Sequence, residues 1–198
     1  MKKIKKNKSN IKIKIISGSW KGKSISFPNK QDLRPTKNQI RETLFNWLQN
    51  EVEHSICLDL FAGSGALGFE AMSRGAKKVY MVDNDIDVIN CLKIQVELLN
   101  AENILLYNLS AENFIQYLKE KIDIIFLDPP FSKNLINSTL SILHKMDNLR
   151  DKCKIYIELP FSKNVEKSIC IPDNWELLRI KKTGDVSYLL FQYNQPMI

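Results

Sequence analysis

Two short stretches carry the residue types best suited to chemistry. The first, "DLFAGSG", runs from Asp59 to Gly65, and together with Gly68 it spells G-x-G-x-x-G. Glycines at this spacing let a strand turn tightly into a helix whose N-terminus faces a cofactor. The second, "DPPF", places an acid before two prolines and an aromatic ring, from Asp128 to Phe131. A carboxylate, a rigid carbonyl and a stacking ring suit the binding of a planar amine.

The acids around the glycines indicate which cofactor fits. Asp83 and Asp85 follow the next predicted strand, where an acid can accept hydrogen bonds from both ribose hydroxyls, as in NAD sites. This feature does not distinguish NAD from other adenosine cofactors. Asp59, however, is a poor neighbour for a pyrophosphate, and it suits the ammonium and sulfonium of S-adenosylmethionine (SAM). "DPPF" also offers nothing to hydride transfer, whereas it serves methyl transfer to an amino group.

Positive charge is concentrated at the start of the chain. The 198 residues carry a net charge of +7, and residues 1–31 hold ten lysines and no acid. A local basic block of this kind favours a polyanion such as nucleic acid as partner. Trp20 and Phe27 lie among these lysines, where they can stack on bases.

Composition argues against several classes of protein. No apolar run approaches the ~18 residues of a membrane span, and no apolar segment follows the lysine-rich start as a secretory signal requires. The four cysteines are widely spaced and the two histidines stand alone, which argues against a metal site and a disulfide framework. We therefore expect a cytoplasmic monomer that binds neither a metal nor a membrane.

Residues 1–52 predict a basic extension made of a hairpin and a helix. "IKIKIISGSWKGKSISF" alternates apolar and polar residues on both sides of a glycine-containing turn, as a β-hairpin does. Thr36 and Gln39 form a T-x-x-Q capping box just after Pro35, which predicts the start of a helix. Arg41 falls off the apolar stripe of that helix, so we expect it to face solvent or a ligand.

Residues 53–198 predict a second domain in which strands and helices alternate. The strands are short and mostly apolar, which indicates an α/β fold with a doubly wound, mainly parallel sheet covered by helices on both faces. The last two strands are separated only by "TGD", so the sheet should end in an antiparallel hairpin. The earlier strands are predicted at 55–60, 78–82, 103–107, 122–127 and 153–158, and the helices at 66–74, 85–99, 111–120 and 134–146.

The pentapeptide "PFSKN" occurs twice, at 130–134 and at 160–164, each time after a predicted strand. Five residues are too few for a repeat architecture, and coincidence or local convergence accounts for them. The second copy is preceded by "EL" and lacks the D-P-P start, so we do not expect it to be catalytic. Glu158, which precedes that copy, either borders the substrate pocket or is a satisfied acid at a strand end.

Several of these stretches resemble a known family. "DLFAGSGALGFEAMSRGA", "VYMVDND" and "FLDPPF" resemble the SAM-dependent methyltransferases that modify exocyclic amines of nucleobases. The upstream "SGSWKGKSISFP" and "LRPTKNQIRETLFNWL" are more specific, and they resemble the bacterial 16S ribosomal RNA guanine-N2 methyltransferases of the RsmD type. The resemblance implies a Rossmann-like class I methyltransferase fold. It also implies methyl transfer from SAM to the exocyclic N2 of a guanine in the 16S ribosomal RNA of the small subunit.

The resemblance assigns roles to individual residues. It implies that Asp128 and Pro129 accept hydrogen bonds from the amine, and that Pro130 and Phe131 complete the catalytic loop, with the ring stacked on the base. The residues implied in cofactor binding are Asp59, Phe61, Gly63, Ser64, Gly65, Asp83, Asn84, Ser110 and Ala111. At Ser110 the family usually has Asp or Asn, which contacts the adenine amino group, so this chain departs from the pattern there.

The expected partner is 16S ribosomal RNA or the small ribosomal subunit. Phosphate contacts are expected from basic side chains of the extension, namely Lys21, Lys23, Arg34, Lys37 and Arg41. One alternative is an amine methyltransferase acting on adenine N6 or cytosine N4 of another nucleic acid, and another is a non-catalytic RNA-binding assembly factor. An NAD oxidoreductase is a distant third, because no well-placed histidine offers the acid–base chemistry.

Overall fold

The computed structural model describes residues 10–30, 35–131 and 135–196. The helices in these ranges are α1 (Asn38–Trp47), α2 (Ala66–Ser73), α3 (Ile86–Leu99), α4 (Ala111–Tyr117) and α5 (Ile136–Leu143). The strands are β1 (Ile11–Lys14), β2 (Ser24–Phe27), β3 (Ile56–Asp59), β4 (Lys78–Asp83), β5 (Ile104–Asn108), β6 (Ile122–Leu127), β7 (Leu149–Pro160), β8 (Trp175–Thr183) and β9 (Val186–Tyr193).

The main sheet has seven strands in the order β5-β4-β3-β6-β7-β9-β8. The strands from β3 to β7 pair in parallel, and β9 is antiparallel to both β7 and β8. All of β3 and nearly all of β6 are buried, because helices cover both faces of the sheet. The predicted doubly wound, mostly parallel sheet with an antiparallel end is confirmed. The carboxyl ends of the parallel strands meet at one edge, where ligands of such sheets bind.

The two faces of the sheet have separate hydrophobic cores. One core combines side chains of α2 and α3 with Ile15 and Ile25 of the hairpin and Leu44 of α1. The other contains side chains of α4 and α5. The N-terminal extension therefore shares its core with the sheet, and its separation as a domain, residues 1–52 against 53–198, stays a prediction.

The hairpin formed by β1 and β2 is docked on the end of α2 through its connecting loop. Gly18 has a φ of +80°, and a Cβ at this position would lie 1.8 Å from the backbone oxygen of Ser73. Ser73 also accepts hydrogen bonds from the backbone N–H groups of Ser19 (2.7 Å) and Trp20 (3.0 Å). Only glycine fits so close a contact between the hairpin and α2. The Trp20 ring packs against Phe69, with the centroids 6.4 Å apart.

The aromatic residues of the hairpin are less available than the sequence predicted. Phe27 has no exposed surface, so the expectation that it stacks on bases is wrong. The alternating pattern leaves open which face of the hairpin is buried, and the buried face is the one that meets α3. There the backbone N–H of Ser26 donates to Gln95 Oε1 at 3.1 Å. Trp20 is half-buried against α2.

A buried cluster of charges around Glu70 joins the hairpin, α1 and α2. The Glu70 carboxylate accepts hydrogen bonds from the backbone N–H groups of Ile16 (2.8 Å) and Ser17 (3.0 Å). It also pairs with Arg74 Nε at 2.8 Å and with Arg41 Nη1 at 3.5 Å. Since Glu70 and Arg41 have no exposed surface, these contacts stand in for the water that the two charges would otherwise bind, although Arg41 Nε has no hydrogen-bond partner among the described residues.

Arg41 corrects the sequence prediction. It has no exposed surface, so the expectation that it faces solvent and contacts RNA is wrong. Its Nη2 donates to the backbone oxygen of Lys14 (2.9 Å) and to Asn38 Oδ1 (2.7 Å). Burial lowers the pKa of Arg41, and the charge of Glu70 acts in the opposite direction. The helical pattern shows only that Arg41 lies off the apolar stripe of α1, and the hairpin and α2 cover that side as well.

We expect Glu70→Ala to lower the free energy of unfolding by about 3–5 kcal/mol, because it leaves the Arg41 charge buried without its partner. Urea denaturation at neutral pH measures the change. Glu97→Ala is the matched control, since Glu97 is exposed on α3 and its loss should change stability by no more than about 0.5 kcal/mol. If Glu70→Ala lowers the free energy of unfolding as little as Glu97→Ala does, the buried cluster does not hold the hairpin in place.

Candidate active site

A cleft of about 960 Å³ opens at the carboxyl edge of the sheet. All the predicted cofactor-binding residues except Gly65 line it, and so do the four residues of the DPPF loop, 128–131. The two stretches that the sequence singles out therefore face one cavity, although they follow different strands. Lys30, Thr36 and Glu158 also line it, and none of the three belongs to the predicted set.

The three glycines after β3 serve different purposes. Gly63 (φ +50°) and Gly65 (φ +76°) adopt left-handed backbone conformations that favour glycine. A Cβ on Gly65 would lie 2.7 Å from two core side chains, and a Cβ on Gly68 would lie 2.2 Å from Met81 Cε. Gly65 and Gly68 thus allow α2 to pack closely on the core, and of the three glycines only Gly63 reaches the cleft.

Asp59 carries an oxygen without a partner in the cleft. Its side chain is 1% exposed, and its Oδ1 receives no hydrogen bond from the residues that the structure describes. Burial raises the pKa of Asp59 to about 8, and the charges of Asp128 and Asp83 act in the same direction. A buried carboxylate is unfavourable unless a donor or a cation joins it. The cleft therefore fits a ligand that brings a positive charge, such as an ammonium group, to Asp59.

Asp83 organises the loop beside the glycine turn. Its Oδ2 accepts a hydrogen bond from the backbone N–H of Gly63, and its Oδ1 accepts one from Asp85, both at 2.9 Å. Burial raises the pKa of Asp83, while these backbone donors lower it. The two donors fix the carboxylate at the cleft wall, and its remaining lone pairs can accept from a ligand hydroxyl.

Ser110 begins α4 as its N-cap. Its Oγ accepts a hydrogen bond from the backbone N–H of Asn113 at 3.2 Å. Asp and Asn, the usual residues at this position of the family pattern, cap helices as well as Ser does. Serine at this position therefore still caps α4, and the Ser110 hydroxyl proton stays available to a ligand in the cleft.

Lys30 lies at another wall of the cleft and is held by two acids. Its ammonium pairs with Asp85, and with Asp87 at 2.9 Å, at the start of α3. The hydrogen bond with Asp85 raises the pKa of Lys30 and lowers that of Asp85. The Lys30 charge is thus used within the protein rather than offered to a polyanion. No sequence signal distinguishes Lys30 from the other lysines of the extension.

The DPPF loop contacts the extension through Thr36. The Thr36 hydroxyl donates to Asp128 Oδ2 at 3.1 Å. Burial raises the pKa of Asp128 to about 6, and the Thr36 hydrogen bond lowers it. The predicted Thr36–Gln39 capping box is therefore wrong, because α1 has Lys37 as its N-cap without a side-chain cap. The Phe131 ring is 44% exposed and can offer a face to a planar ligand.

Glu158 adds a third acid to the same cavity. It lies at the end of β7, next to β6, and its side chain is 3% exposed. Its Oε1 accepts a hydrogen bond from the Tyr156 hydroxyl at 2.9 Å. Burial raises the pKa of Glu158 well above its ordinary value, and the charge of Asp128 adds to the effect. Of the two roles that the sequence leaves open, the structure supports both, since Glu158 borders the pocket and has a hydrogen-bond donor.

The basic residues expected to contact RNA lie in different environments. Lys21 and Lys23 are exposed in the hairpin connection, and Lys37 is exposed at the cleft. Arg41 is buried, and Arg34 lies outside the described residues. RNA contacts by the three exposed lysines stay a prediction.

The cysteines and the acidic residues show no sign of metal or disulfide chemistry in the described ranges. Cys57, Cys91 and Cys153 are buried free thiols, and Cys170 is an exposed one. No three His, Cys, Asp or Glu side chains of these ranges are grouped as metal ligands would be. The helices found there are all too short or too polar to cross a membrane.

Known proteins match nearly the whole chain. A family model described as "Conserved hypothetical protein 95" matches residues 13–192. The ribosomal RNA small subunit methyltransferase D of Haemophilus influenzae is 41% identical over 196 residues, which cover 97% of this chain and 100% of that protein. The protein of the same name from Escherichia coli strain K12 is 39% identical over 181 residues, 91% of this chain and 89% of that protein.

Solved structures share the fold. The Escherichia coli protein yhhF, provisionally named a methyltransferase, is 37% identical with a TM-score of 0.83, covering 92% of this chain and 98% of its own. An rRNA methylase from Streptococcus thermophilus has a TM-score of 0.64 at 17% identity, covering 82% of this chain and 99% of that chain. The second likeness concerns the fold alone. The predicted Rossmann-like class I methyltransferase fold is confirmed.

The raised pKa of Asp59 predicts a pH-dependent gain in stability for Asp59→Asn. Below about pH 4 the acid is protonated in both the folded and the unfolded protein, so it contributes no pH dependence. As the pH rises from about 4 to 8, only the unfolded protein loses the proton, and the wild type is destabilised by about 1.4 kcal/mol for each tenfold difference in proton affinity.

Urea denaturation between pH 4 and pH 8 measures this effect. The stability of Asp59→Asn relative to the wild type should rise over that interval and then level off. Asp128 and Glu158, whose pKa values are also raised, are present in both proteins and largely cancel in the comparison. Parallel pH profiles for the two proteins would show that Asp59 is ionised in the folded state throughout.

Proposed function

Because the chain belongs to the ribosomal RNA small subunit methyltransferase D family, we propose that it transfers a methyl group from SAM to the exocyclic N2 of a guanine in 16S ribosomal RNA. The observation that carries this proposal is the meeting of Asp59 and Asp128 in one cleft. One acid has an oxygen without a partner and suits a cationic cofactor, and the other suits an amine. Its proposed substrate places the protein in the cytoplasm.

The cleft residues match the groups that SAM presents. When bound, SAM supplies an activated methyl group on a sulfonium, together with an ammonium and an adenosine. The unpaired Oδ1 of Asp59 is the acceptor for the ammonium. The other proposed contacts are Phe61, Gly63 and Ser64 around the methionine part, Asp83 at the ribose, and Asn84, Ser110 and Ala111 at the adenine, whereas Gly65 does not line the cleft and serves the packing of α2.

Asp128 and Pro129 make the target amine a better nucleophile. The N2 lone pair of guanine is delocalised into the ring, and hydrogen bonds from N2–H to strong acceptors return electron density to the nitrogen. Thr36 occupies Oδ2 of Asp128, which leaves Oδ1 for the amine, and the Pro129 carbonyl is the second acceptor. Burial raises the pKa of Asp128 above the ordinary range of an aspartate, which makes its carboxylate a stronger base for the proton that N2 loses.

The rest of the DPPF loop orients the base so that its amine faces the methyl group. Pro129 is buried and Pro130 half-buried, and paired prolines restrict the backbone so that the carbonyl is in place before the substrate arrives. Phe131 stacks on the base, which must be unpaired or flipped out to enter the cleft. Orientation of the amine toward the methyl group is the main contribution left to the protein, since the methyl group is already activated.

A methylation assay with labelled SAM tests the proposal on purified small ribosomal subunits, naked 16S RNA and duplex DNA. We expect label in the subunits or the RNA, and N2-methylguanosine when the product is analysed by mass spectrometry. Label only in DNA, or in adenine N6 or cytosine N4, would instead establish an amine methyltransferase for another substrate. No label, together with no SAM binding in calorimetry, would establish the non-catalytic RNA-binding assembly factor.

We expect Asp128→Ala to abolish turnover and to leave the dissociation constant of SAM within about tenfold, ~1.4 kcal/mol. The reason is that Asp128 contacts the amine, whereas the cofactor contacts lie on the other loops. The methylation assay and calorimetry with SAM measure the two effects. Asp173→Ala, which removes an exposed acid outside the cleft, should change neither. Loss of SAM binding in Asp128→Ala would make this acid a structural residue.

A further inference from the structure

The second "PFSKN" copy places another aromatic ring beside the cleft. Phe161 follows β7 as Phe131 follows β6, and these two parallel strands are neighbours in the sheet. The two rings are exposed to a similar extent, Phe161 by 43% and Phe131 by 44%. Pro160, which precedes Phe161, lines the cleft. Two exposed aromatic rings therefore follow neighbouring strands at the cleft edge of the sheet.

The acid that precedes the second copy differs from Asp128 in its surroundings. Glu158 takes the place of Asp128 in "ELPF", but it is 3% exposed and bonded to the Tyr156 hydroxyl. Leu159 stands where the first copy has Pro129, so the second copy lacks the paired prolines that fix the backbone before the ring. The second copy therefore keeps the aromatic ring and lacks the amine acceptors. Its ring suits a base that is held but not methylated.

Lys182 of β8 fixes the Phe161 ring from one side. Its Nζ lies 3.3 Å from the ring centroid, a cation–π contact that covers one face. The backbone N–H of Phe161 also donates to the backbone oxygen of Asp185 at 2.8 Å, which ties the loop after β7 to the turn between β8 and β9. The ring is thus held in place, and its opposite face is available for stacking.

The surface around this ring is positively charged. Lys163, two residues after Phe161, and Lys182 are exposed, and neither of them forms an ion pair within the described part of the chain. Lys37 is also close, because a Cβ on Gly184 would lie 3.2 Å from its Nζ. Asp185 is the acid of this region, and it is exposed at the cleft. Lysines around an exposed aromatic ring are the pattern that binds single-stranded nucleic acid.

We propose that Phe161, Lys163 and Lys182, the Phe161 platform, hold the nucleotide adjacent to the target base in an unpaired segment of RNA. The neighbouring base stacks on the open face of Phe161, and the lysines contact the phosphates on either side. The inference rests on the proposed function, since it takes the target base to lie in the cleft against Phe131. RNA is favoured over a protein partner because unpaired lysines flank a ring that lies next to a base-binding cleft.

Binding of a fluorescein-labelled 12-nucleotide single-stranded RNA, followed by anisotropy, tests the platform without any turnover. We expect Phe161→Ala to weaken binding about 5- to 150-fold, as loss of one stacked base does, and Phe161→Trp to retain it. Lys182→Ala should lower the slope of log affinity against log salt by about 0.7, the value for one phosphate contact on a single strand. In the double variant Phe161→Ala/Lys182→Ala, the loss of RNA-binding free energy should be smaller than the sum of the two single losses, because the two side chains touch.

Tyr117→Ala and Lys119→Ala are the matched controls. Tyr117 is 73% exposed at the end of α4 that is remote from the cleft, and Lys119 is exposed just after it. Neither control should change RNA binding. SAM binding by calorimetry should be the same in every variant, which shows that the fold is intact. In methylation of naked 16S RNA, Phe161→Ala should raise KM and leave kcat at saturating RNA unchanged.

Unchanged RNA binding and KM in Phe161→Ala would overturn the inference while leaving the proposed function intact. A defect seen only with assembled subunits, and not with either naked RNA, would also overturn it and point to a ribosomal protein as the partner. If the wild-type protein methylates no RNA at all, the proposed function fails. The oligonucleotide assay still decides the platform in that case, because it requires binding and no methyl transfer.

Discussion

The buried carboxylate of Glu70 is the interaction on which the N-terminal part of the structure depends. It binds two backbone N–H groups at the end of β1 and two arginines, one from α1 and one at the end of α2. These contacts fix the hairpin and α1 on the face of the sheet that carries α2 and α3. Thr36 lies just before α1, so the same contacts bring its hydroxyl to Asp128. An interaction inside the core thus determines which residue bonds the acid of the DPPF loop.

The parallel sheet imposes a second constraint, since its strands end at one edge. The acids at the ends of β3, β6 and β7 are therefore brought into one cavity. Asp59, Asp128 and Glu158 all have raised pKa values because of burial, and the charge of Asp128 raises the other two further. The arrangement is unfavourable in the free protein, and a cation that pairs with one of these acids relieves it. The electrostatic strain among these acids in the free protein therefore contributes to the affinity for a cationic ligand.

The sheet and the residues of the cleft could be predicted from the sequence because both follow from local pattern. Apolar runs of strand length give the sheet, and residues that come directly after such runs must meet at its edge. Arg41, Thr36 and Phe27 could not be placed in this way. Each is decided by a partner distant in sequence, namely Glu70, Asp128 and α3.

Thr36 illustrates how a partner distant in sequence replaces a local one. The spacing to Gln39 offers a local bond at the helix start, which the sequence pattern detects. The bond to Asp128 spans 92 positions and depends on the complete fold, so no pattern within α1 reveals it. Lys30 is similar, because its acids follow β4, while the lysine itself lies just after β2.

The position of β9 has a consequence for the order in which the protein is built. β9 is the last strand in the sequence, yet it lies between β7 and β8, and Tyr188 pairs with Glu158. The ribosome releases a chain from its N-terminus, so β7 keeps an open edge until the final strand has emerged. The edge of β7 beside Glu158 therefore stays unpaired while the chain emerges as far as β8, and pairing with β9 closes it.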